Sequence, residues 1–372
     1  MSARTAIAMS GGVDSLFTAY LLKKTGTAVI GLHFLTGFEP HYIPSQTADD
    51  PQQPILIRDP VEAGYERLQT DLQRMVADLD IPIFIFDCAA PFRSQVIDYF
   101  ERTYRSGKTP NPCMVCNRRI KFGILLTAAQ ALGAHRLATG HYVRTRTTPD
   151  GRVHLLKGAD PRKDQAYFLA RLRQNQLAAA RFPLGEMEKH QVIEQAARKG
   201  LQPMAQQESQ DVCFIRDQAY GRFLTETLGF KPSPGNIEDL AGTRLGRHQG
   251  LHLFTIGQRR GINCPSSEPY YVYALDTARN VLVVGRKADL AARHCKVNDI
   301  NWINPPESNS LMVQARVRYR SPAANARVTL TSPTSAAVEF EQTQSAITPG
   351  QGAVFYAGDE VLGGGWITRV EE

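Results

Sequence analysis

Between a short apolar run at residues 5–9 and a helical pattern that stops at Gly26, the chain reads Ser10, Gly11, Gly12, Val13, Asp14, Ser15. A strand that passes into a helix through adjacent glycines is built to hold phosphate. The glycines let the backbone approach an anion with no Cβ in the way, and the free N–H groups and positive dipole end of the helix face it. Ser10 and Ser15 add hydroxyl donors. Asp14 would repel a phosphate, so it is expected either as the helix N-cap or as a carboxylate facing Mg²⁺ carried by the phosphates. No lysine follows the glycines, which excludes the GxxxxGK[ST] loop. The plainer alternative is a turn that uses Gly and Ser for geometry alone.

The remaining chain is long enough for several cores. At 372 residues two or three domains are expected, and a hydrophobic content of 42% without an apolar run of membrane length or a basic-then-apolar leader predicts a soluble, cytoplasmic protein. The formal net charge of +7 leans toward a polyanionic partner. Cysteines at 88, 113, 116, 213, 264 and 295 are too sparse for a disulfide framework and fit a reducing compartment.

Apolar strands and helical spacings alternate through the first half: a buried strand at 28–33, helical recurrence of Leu68, Leu72, Met75, Val76 and Leu79, a strand at 82–86, then a helix at 120–132 leading into a strand at 135–139. This is the pattern of an α/β doubly wound parallel sheet, with a nucleotide at the carboxyl ends of its strands. Residues 36–59, rich in Pro, Gln, Asp and Thr, read as a surface loop or lid. From Arg244 short glycine-punctuated strands take over. Leu311, Val313, Ala315, Val317 and Tyr319 alternate with Gln314, Arg316 and Arg318, as in a small antiparallel β-barrel. The expected domains are 1–205, a central domain 206–288 with Cys213 at its start, and a barrel 289–372. Arg316, Arg318 and Arg320 would share a strand face suited to a phosphate backbone, although such faces are commonly just solvated.

Thr109-Pro110-Asn111-Pro112-Cys113-Met114-Val115-Cys116-Asn117, followed by Arg118, Arg119 and Lys121, forms a second chemical cluster. Cys116 would sit just ahead of a helix starting near Ile120, where the helix N-terminus and neighbouring cations lower a thiol pKa and make a nucleophile. A zinc half-site, a redox pair and inert buried thiols are the other readings of Cys113 and Cys116; zinc would need two further ligands in a comparable knuckle. Ser209-Gln210-Asp211-Val212-Cys213-Phe214-Ile215 adds one more cysteine ahead of a helical pattern at 217–228.

The glycine string resembles the PP-loop of N-type ATP pyrophosphatases. Joined to the TPNPxxxCN run, Ala138-Thr139-Gly140-His141-Tyr142, Lys163-Asp164-Gln165-Ala166-Tyr167-Phe168, Cys213-Phe214-Ile215, Gly257-Gln258-Arg259-Arg260-Gly261 and Pro349-Gly350-Gln351, it makes nearly the whole chain similar to bacterial-type tRNA-specific 2-thiouridylases. That resemblance implies an ATP site at Ala8, Met9, Ser10, Gly11, Gly12, Val13, Asp14 and Ser15, with Phe34 and Gly140. It implies target-base contacts at Asn111, Pro112 and Cys113, and tRNA contacts at Lys163, Asp164, Gln165, Arg318 and Tyr319. It makes Cys116 the nucleophile and Cys213 the persulfide carrier. ATP with Mg²⁺ would adenylate O2 of the wobble uridine with loss of pyrophosphate. Sulfur from the Cys213 persulfide would then reach C2. Cys116 would either attack the persulfide to free hydrosulfide, closing a disulfide with Cys213, or assist as AMP leaves. Implied partners are tRNA and a persulfide donor, a cysteine desulfurase or sulfur-relay protein, acting on a monomer.

Two departures stand out. The segment after the second strand lacks the Trp and acidic residues expected of the family. Cys113 occupies a position that is Asp in many members, so Cys113, Cys116 and Cys213 could instead hold a [4Fe–4S] cluster with one open iron. Outside this family, the glycine loop also fits a ligase or amidotransferase of the argininosuccinate or GMP synthetase kind, which needs no reactive thiol, or an RNA-binding protein that has lost turnover.

Overall fold

The computed structural model describes residues 4–44, 50, 52–204, 212–215 and 220–371. It divides into two compact units. The first gathers Met1–Ile97, Cys113–Phe214 and Asp359–Val361; the second gathers Asp98–Pro112, Ile215–Gly358 and Leu362–Glu372.

Strands of the first unit are β1 (Arg4–Ala8), β2 (Val29–Leu35), β3 (Ile55–Ile57), β4 (Ile83–Asp87), β5 (Ala134–Ala138), β6 (Val143–Thr147), β7 (Val153–Lys157) and β8 (Ala180–Arg181). Six of them form one sheet in the order β3-β4-β2-β1-β5-β8. All its pairings are parallel except β3 with β4. Burial of every β1 residue from Thr5 to Ala8 follows from its place inside the sheet, since parallel sheets are covered on each side. Ile7, Leu16, Ala19 and Val29 share one core, while Phe17 on the helix Val13–Lys24 meets Val192 and Ala196 on the helix Lys189–Arg198. Those two helices are thereby fixed side by side at the C-terminal end of β1.

The segment expected as a lid is partly built into this unit. Ile55–Ile57 forms β3, and Glu39 accepts hydrogen bonds from the N–H of Thr36 (2.8 Å) and of Gly37 (3.0 Å). Tyr42 donates to Asp87 at 2.8 Å, and the Tyr65 hydroxyl bonds the carbonyl of Ile43 at 2.6 Å. The sequence carried few apolar residues here because side chain to backbone bonds, rather than a packed face, organise the segment.

In the second unit β9 (Gly235–Glu238), β10 (Arg244–His248), β11 (Tyr271–Asp276) and β12 (Val281–Gly285) form a sheet ordered β10-β9-β12-β11 over Ile237, Phe254, Val272, Leu282 and Val284. Strands β13 (Ala291–Trp302), β14 (Ser310–Arg316), β15 (Ala324–Ser332), β16 (Ser335–Ser345), β17 (Gly352–Ala357) and β18 (Glu360–Glu371) make a closed antiparallel barrel, sealed by β13 on β18. Closure leaves no barrel edge exposed. Val313, Ala315 and Val317 point inward as their alternation predicts. Among the described residues no helix is long and apolar enough to cross a membrane.

Candidate active site

Gly11 has φ +84, a left-handed conformation that disfavours any side chain, and Gly12 caps the helix Val13–Lys24 through its extended backbone. No side chain caps this helix, so the capping role expected of Asp14 is not observed. Its carboxylate has other partners. Oδ1 accepts from the Tyr142 hydroxyl at 2.7 Å, and the Lys189 ammonium reaches Oδ1 at 2.7 Å and Oδ2 at 2.8 Å. Lys189 is buried, and its ammonium lies 5.9 Å from the Tyr142 ring centre. It opens the helix Lys189–Arg198, where the helix dipole disfavours a cation; the Asp14 carboxylate offsets that cost. Asp160 holds the same residue by its backbone, accepting the Lys189 N–H at 3.1 Å on Oδ2.

Other expected nucleotide contacts lie around this loop. Ser15 donates to the Gly12 carbonyl at 2.8 Å, and Ser10 stands 3.4 Å from the Ser15 hydroxyl. A Cβ on Gly140 would come within 2.8 Å of Asp14 Cβ, so glycine there permits close approach to the helix start. Phe34 is half-buried near the end of β2, and Met9 at the end of β1 offers its carbonyl to His33 Nδ1 at 2.9 Å. Burial lowers the His33 pKa, leaving a neutral ring that donates from Nδ1.

The loop expected to contact tRNA is turned inward in part. Asp164 is 4% exposed, and its Oδ1 accepts the N–H groups of Gly158 and Ala166 at 3.1 Å each. Gln165 Oε1 accepts the Tyr142 N–H at 3.0 Å. Asp164 holds the loop in this way, and Gln165 fixes the tyrosine that binds Asp14. Lys163 is half-buried. His141, bonded through Nδ1 to Thr139 at 2.7 Å, has its pKa driven well down by burial and is a neutral structural ring.

The helix at the cysteine cluster starts earlier than expected. It runs from Pro112–Cys116 through wide π turns at Asn117–Leu125 to Leu126–Ala131, with Pro112 at the first position, where its missing N–H costs nothing. Cys116 thus lies inside the helix, and its thiol is not acidified. Burial pushes its pKa up to about 12; Lys121 opposes the rise, while Cys213 and Cys113 add to it. Cys213 is exposed, yet surrounding protein raises its pKa as well, with Lys121 again opposing and Glu39 adding. Phe214, 5% exposed, packs its ring 5.8 Å from Phe38 and 5.7 Å from Phe92. Cys213 falls in the first unit beside this clasp. Ser209, Gln210 and Asp211 lie outside the described residues. All six cysteines are free thiols. Among the described residues no group of three or more His, Cys, Asp or Glu could hold a metal ion, so Cys113, Cys116 and Cys213 do not fit a cluster in this arrangement.

In the second unit the TPNP segment is strapped by the Pro349-Gly350-Gln351 turn. The Thr109 N–H donates to the Pro349 carbonyl at 3.0 Å, and Gln351 Nε2 donates to the Pro110 carbonyl at 2.8 Å. Asn111 is buried and donates its N–H to the Tyr99 hydroxyl at 3.1 Å. Arg318 is not on a shared strand face: β14 ends at Arg316, and the half-buried Arg318 guanidinium donates to the Ile256 carbonyl at 2.7 Å and to the Thr348 hydroxyl. Tyr319 is half-buried in the turn that follows, and Arg320 is exposed.

The chain matches three family models: the tRNA methyl transferase HUP domain over residues 3–217, the tRNA methyl transferase PRC-barrel domain over 221–286, and the aminomethyltransferase beta-barrel domain over 292–367. It is 50% identical over 366 residues to the tRNA-specific 2-thiouridylase MnmA of Desulfosudis oleivorans, covering 98% of this chain and 95% of the relative. It is 43% identical to the protein of that name from Trichlorobacter lovleyi, covering 98% and 97%. The Chloroflexus aurantiacus protein of that name is also 43% identical, with 99% of each chain covered. With a glycine-rich strand-to-helix loop and the thiols of Cys116 and Cys213 in one unit, and similarity running the full length, the chain belongs to the family of the tRNA-specific 2-thiouridylases.

Proposed function

We propose that this protein is the ATP-dependent 2-thiouridylase of a tRNA wobble uridine. The observation that carries this is the presence in one unit of a glycine loop bearing the Asp14–Lys189 pair and of the thiols of Cys116 and Cys213, the second near enough to raise the pKa of the first. Methyl transfer, which the family-model description names, has no need of an ATP-cleaving loop beside two thiols.

The glycine loop and the start of the helix Val13–Lys24 bind ATP. Uridine O2 attacks the α-phosphorus, pyrophosphate leaves, and loop amides take up the developing charge. Asp14 is the residue that would hold Mg²⁺, which supplies charge neutralisation on the phosphates; one carboxylate with phosphate oxygens is a usual magnesium donor set. Lys189, against the same carboxylate, holds it in place. Cys116 thiolate attacks Sγ of the Cys213 persulfide, the S–S bond to the outer sulfur breaks, and hydrosulfide departs with the electron pair. Hydrosulfide adds at C2 and AMP leaves with the former O2. The products are 2-thiouridine, AMP, pyrophosphate and a Cys116–Cys213 disulfide, which an external dithiol reduces.

The raised thiol pKa means that Cys116 rests as the protonated thiol and must lose its proton as the reaction is set up; Lys121 is the cation that favours the loss. Free thiols and a tRNA substrate suit the reducing cytoplasm, with a cysteine desulfurase or relay protein as the persulfide donor and the enzyme acting as a monomer. Pyrophosphate release and 2-thiouridine formation, measured with unmodified tRNA, ATP and a persulfide donor, test the reading. Both should require tRNA, and thiouridine should require both cysteines; AMP formation indifferent to tRNA would return the chain to the ligase alternative.

A further inference from the structure

Beside the TPNP segment the second unit carries an open recess of about 260 Å³ lined by Tyr99, Arg102, Thr103, Lys108, Trp366 and Thr368. It lies below the ~300 Å³ at which drug-sized sites begin, which is room for one planar ring rather than a whole cofactor. Tyr99 and Trp366 form a tilted aromatic pair with centres 5.5 Å apart. Arg102 and Lys108 are exposed and make no ion pair among the described residues. An aromatic platform rimmed by uncompensated cations and hydroxyls is how proteins hold a splayed nucleotide: the base stacks and the phosphate meets the cations. Tyr99 also ties the recess to the base-binding segment, since its hydroxyl accepts the Asn111 N–H.

We propose that this recess binds a nucleotide of the tRNA next to the target uridine, its base stacked on the Trp366–Tyr99 pair and its phosphate at Arg102 and Lys108. The proposal rests on the tRNA reading above and adds a subsite to it. By gripping the neighbour, the recess would set the register in which the target base reaches Asn111.

The chain has two tryptophans, so Trp302→Phe leaves Trp366 as the sole indole reporter. This variant of the full chain is titrated with an anticodon-arm hairpin RNA, and with hairpins made abasic on either side of the target uridine. The intact hairpin should quench Trp366, and one abasic hairpin should bind on the order of tenfold more weakly. Trp366→Ala should remove that difference between hairpins. Arg102→Ala, at an exposed position, should lower the salt slope of log K by about 0.7. Equal affinity for all three hairpins, or a salt slope unchanged by Arg102→Ala while the intact hairpin binds, overturns the subsite. Failure of the starting protein to bind any hairpin overturns the tRNA reading with it.

Discussion

Lys189 places its ammonium 2.7 and 2.8 Å from the two carboxylate oxygens of Asp14, across 175 residues of chain. The glycine loop that lacks a following lysine in sequence therefore has one beside its Asp14 in space. The first prediction concerns this pair. Lys189→Met should destabilise the protein by about 1–3 kcal/mol, less than the ~3–5 kcal/mol for breaking a fully buried pair because Asp14 keeps 30% of its side chain exposed. Asp14→Ala and Lys189→Met should each abolish AMP formation while tRNA binding persists. Urea melts of the singles and the double should be strongly non-additive; additive losses would mean that the two residues act independently.

Gly140 tests the geometry of the loop from the other side. In Gly140→Ala the new Cβ meets Asp14 Cβ at 2.8 Å and the Asp14 carbonyl carbon at 2.9 Å, so the helix start has to shift. AMP formation should fall by about two orders of magnitude, as expected when a reacting group is misplaced by an ångström. A kinetic constant for ATP unaltered by this change would remove Gly140 from the nucleotide site.

How much of this was legible beforehand depended on the range of the physics. The strand-to-helix glycine turn was readable because strand, glycines and helix are consecutive, and the barrel because alternation of Val313, Ala315 and Val317 is local. Lys189 was not, since nothing adjacent to it announces Asp14. The one signal was a lysine at a helix start, where the dipole disfavours it. The early start of the cysteine helix was visible in principle: Pro112 suits the first helical position, and reading the prolines only as chain direction hid it. Arg318 was misplaced by extending the strand alternation two residues past Arg316, where the chain leaves the barrel and burial replaces solvent.

Arg318 accordingly carries a prediction different from that of a phosphate contact. Its guanidinium bonds Ile256 and Thr348, and hydrogen bonds from a charged group contribute roughly 1.5–3 kcal/mol each. Arg318→Ala should lower the melting temperature of the protein while leaving the salt slope of tRNA binding unchanged. An unchanged melt with a slope reduced by about one unit would restore the direct phosphate role.

The Cys116 thiol, pushed up to about 12 by burial, fixes a pH dependence. Its reactive form is the deprotonated one, so iodoacetamide labelling of Cys116 should climb about tenfold per pH unit through the neutral and mildly alkaline range without levelling. Lys121 lowers this pKa, so Lys121→Ala should slow labelling at every pH. The folded thiol keeps a proton that the unfolded thiol gives up above its ordinary value of 9.0, so this group's contribution to stability is lost as pH rises from there toward 12. Peptide-resolved mass spectrometry separates Cys116 from Cys113 and Cys213; a labelling rate that levels near neutrality would mean that the thiolate is already formed in the resting protein.

The final prediction separates the two sulfur chemistries at Cys113. The persulfide route asks for two thiols only, Cys213 to carry sulfur and Cys116 to release it, and Cys213 is near enough to raise the Cys116 pKa. Cys113→Asp should then keep 2-thiouridine formation with a persulfide donor, while Cys116→Ser and Cys213→Ser should each eliminate it. A cluster route asks for three soft ligands brought together, which the described residues do not form, and a carboxylate is a harder and weaker ligand for iron-sulfur than a thiolate. On that route Cys113→Asp should lose iron and activity in parallel. Iron content and thiouridine yield are read on the same anaerobic preparation. Full thiolation by an iron-free Cys113→Asp protein establishes the persulfide route, whereas a yield that follows iron and falls with Cys113 would mean that the three thiols gather around a cluster during catalysis.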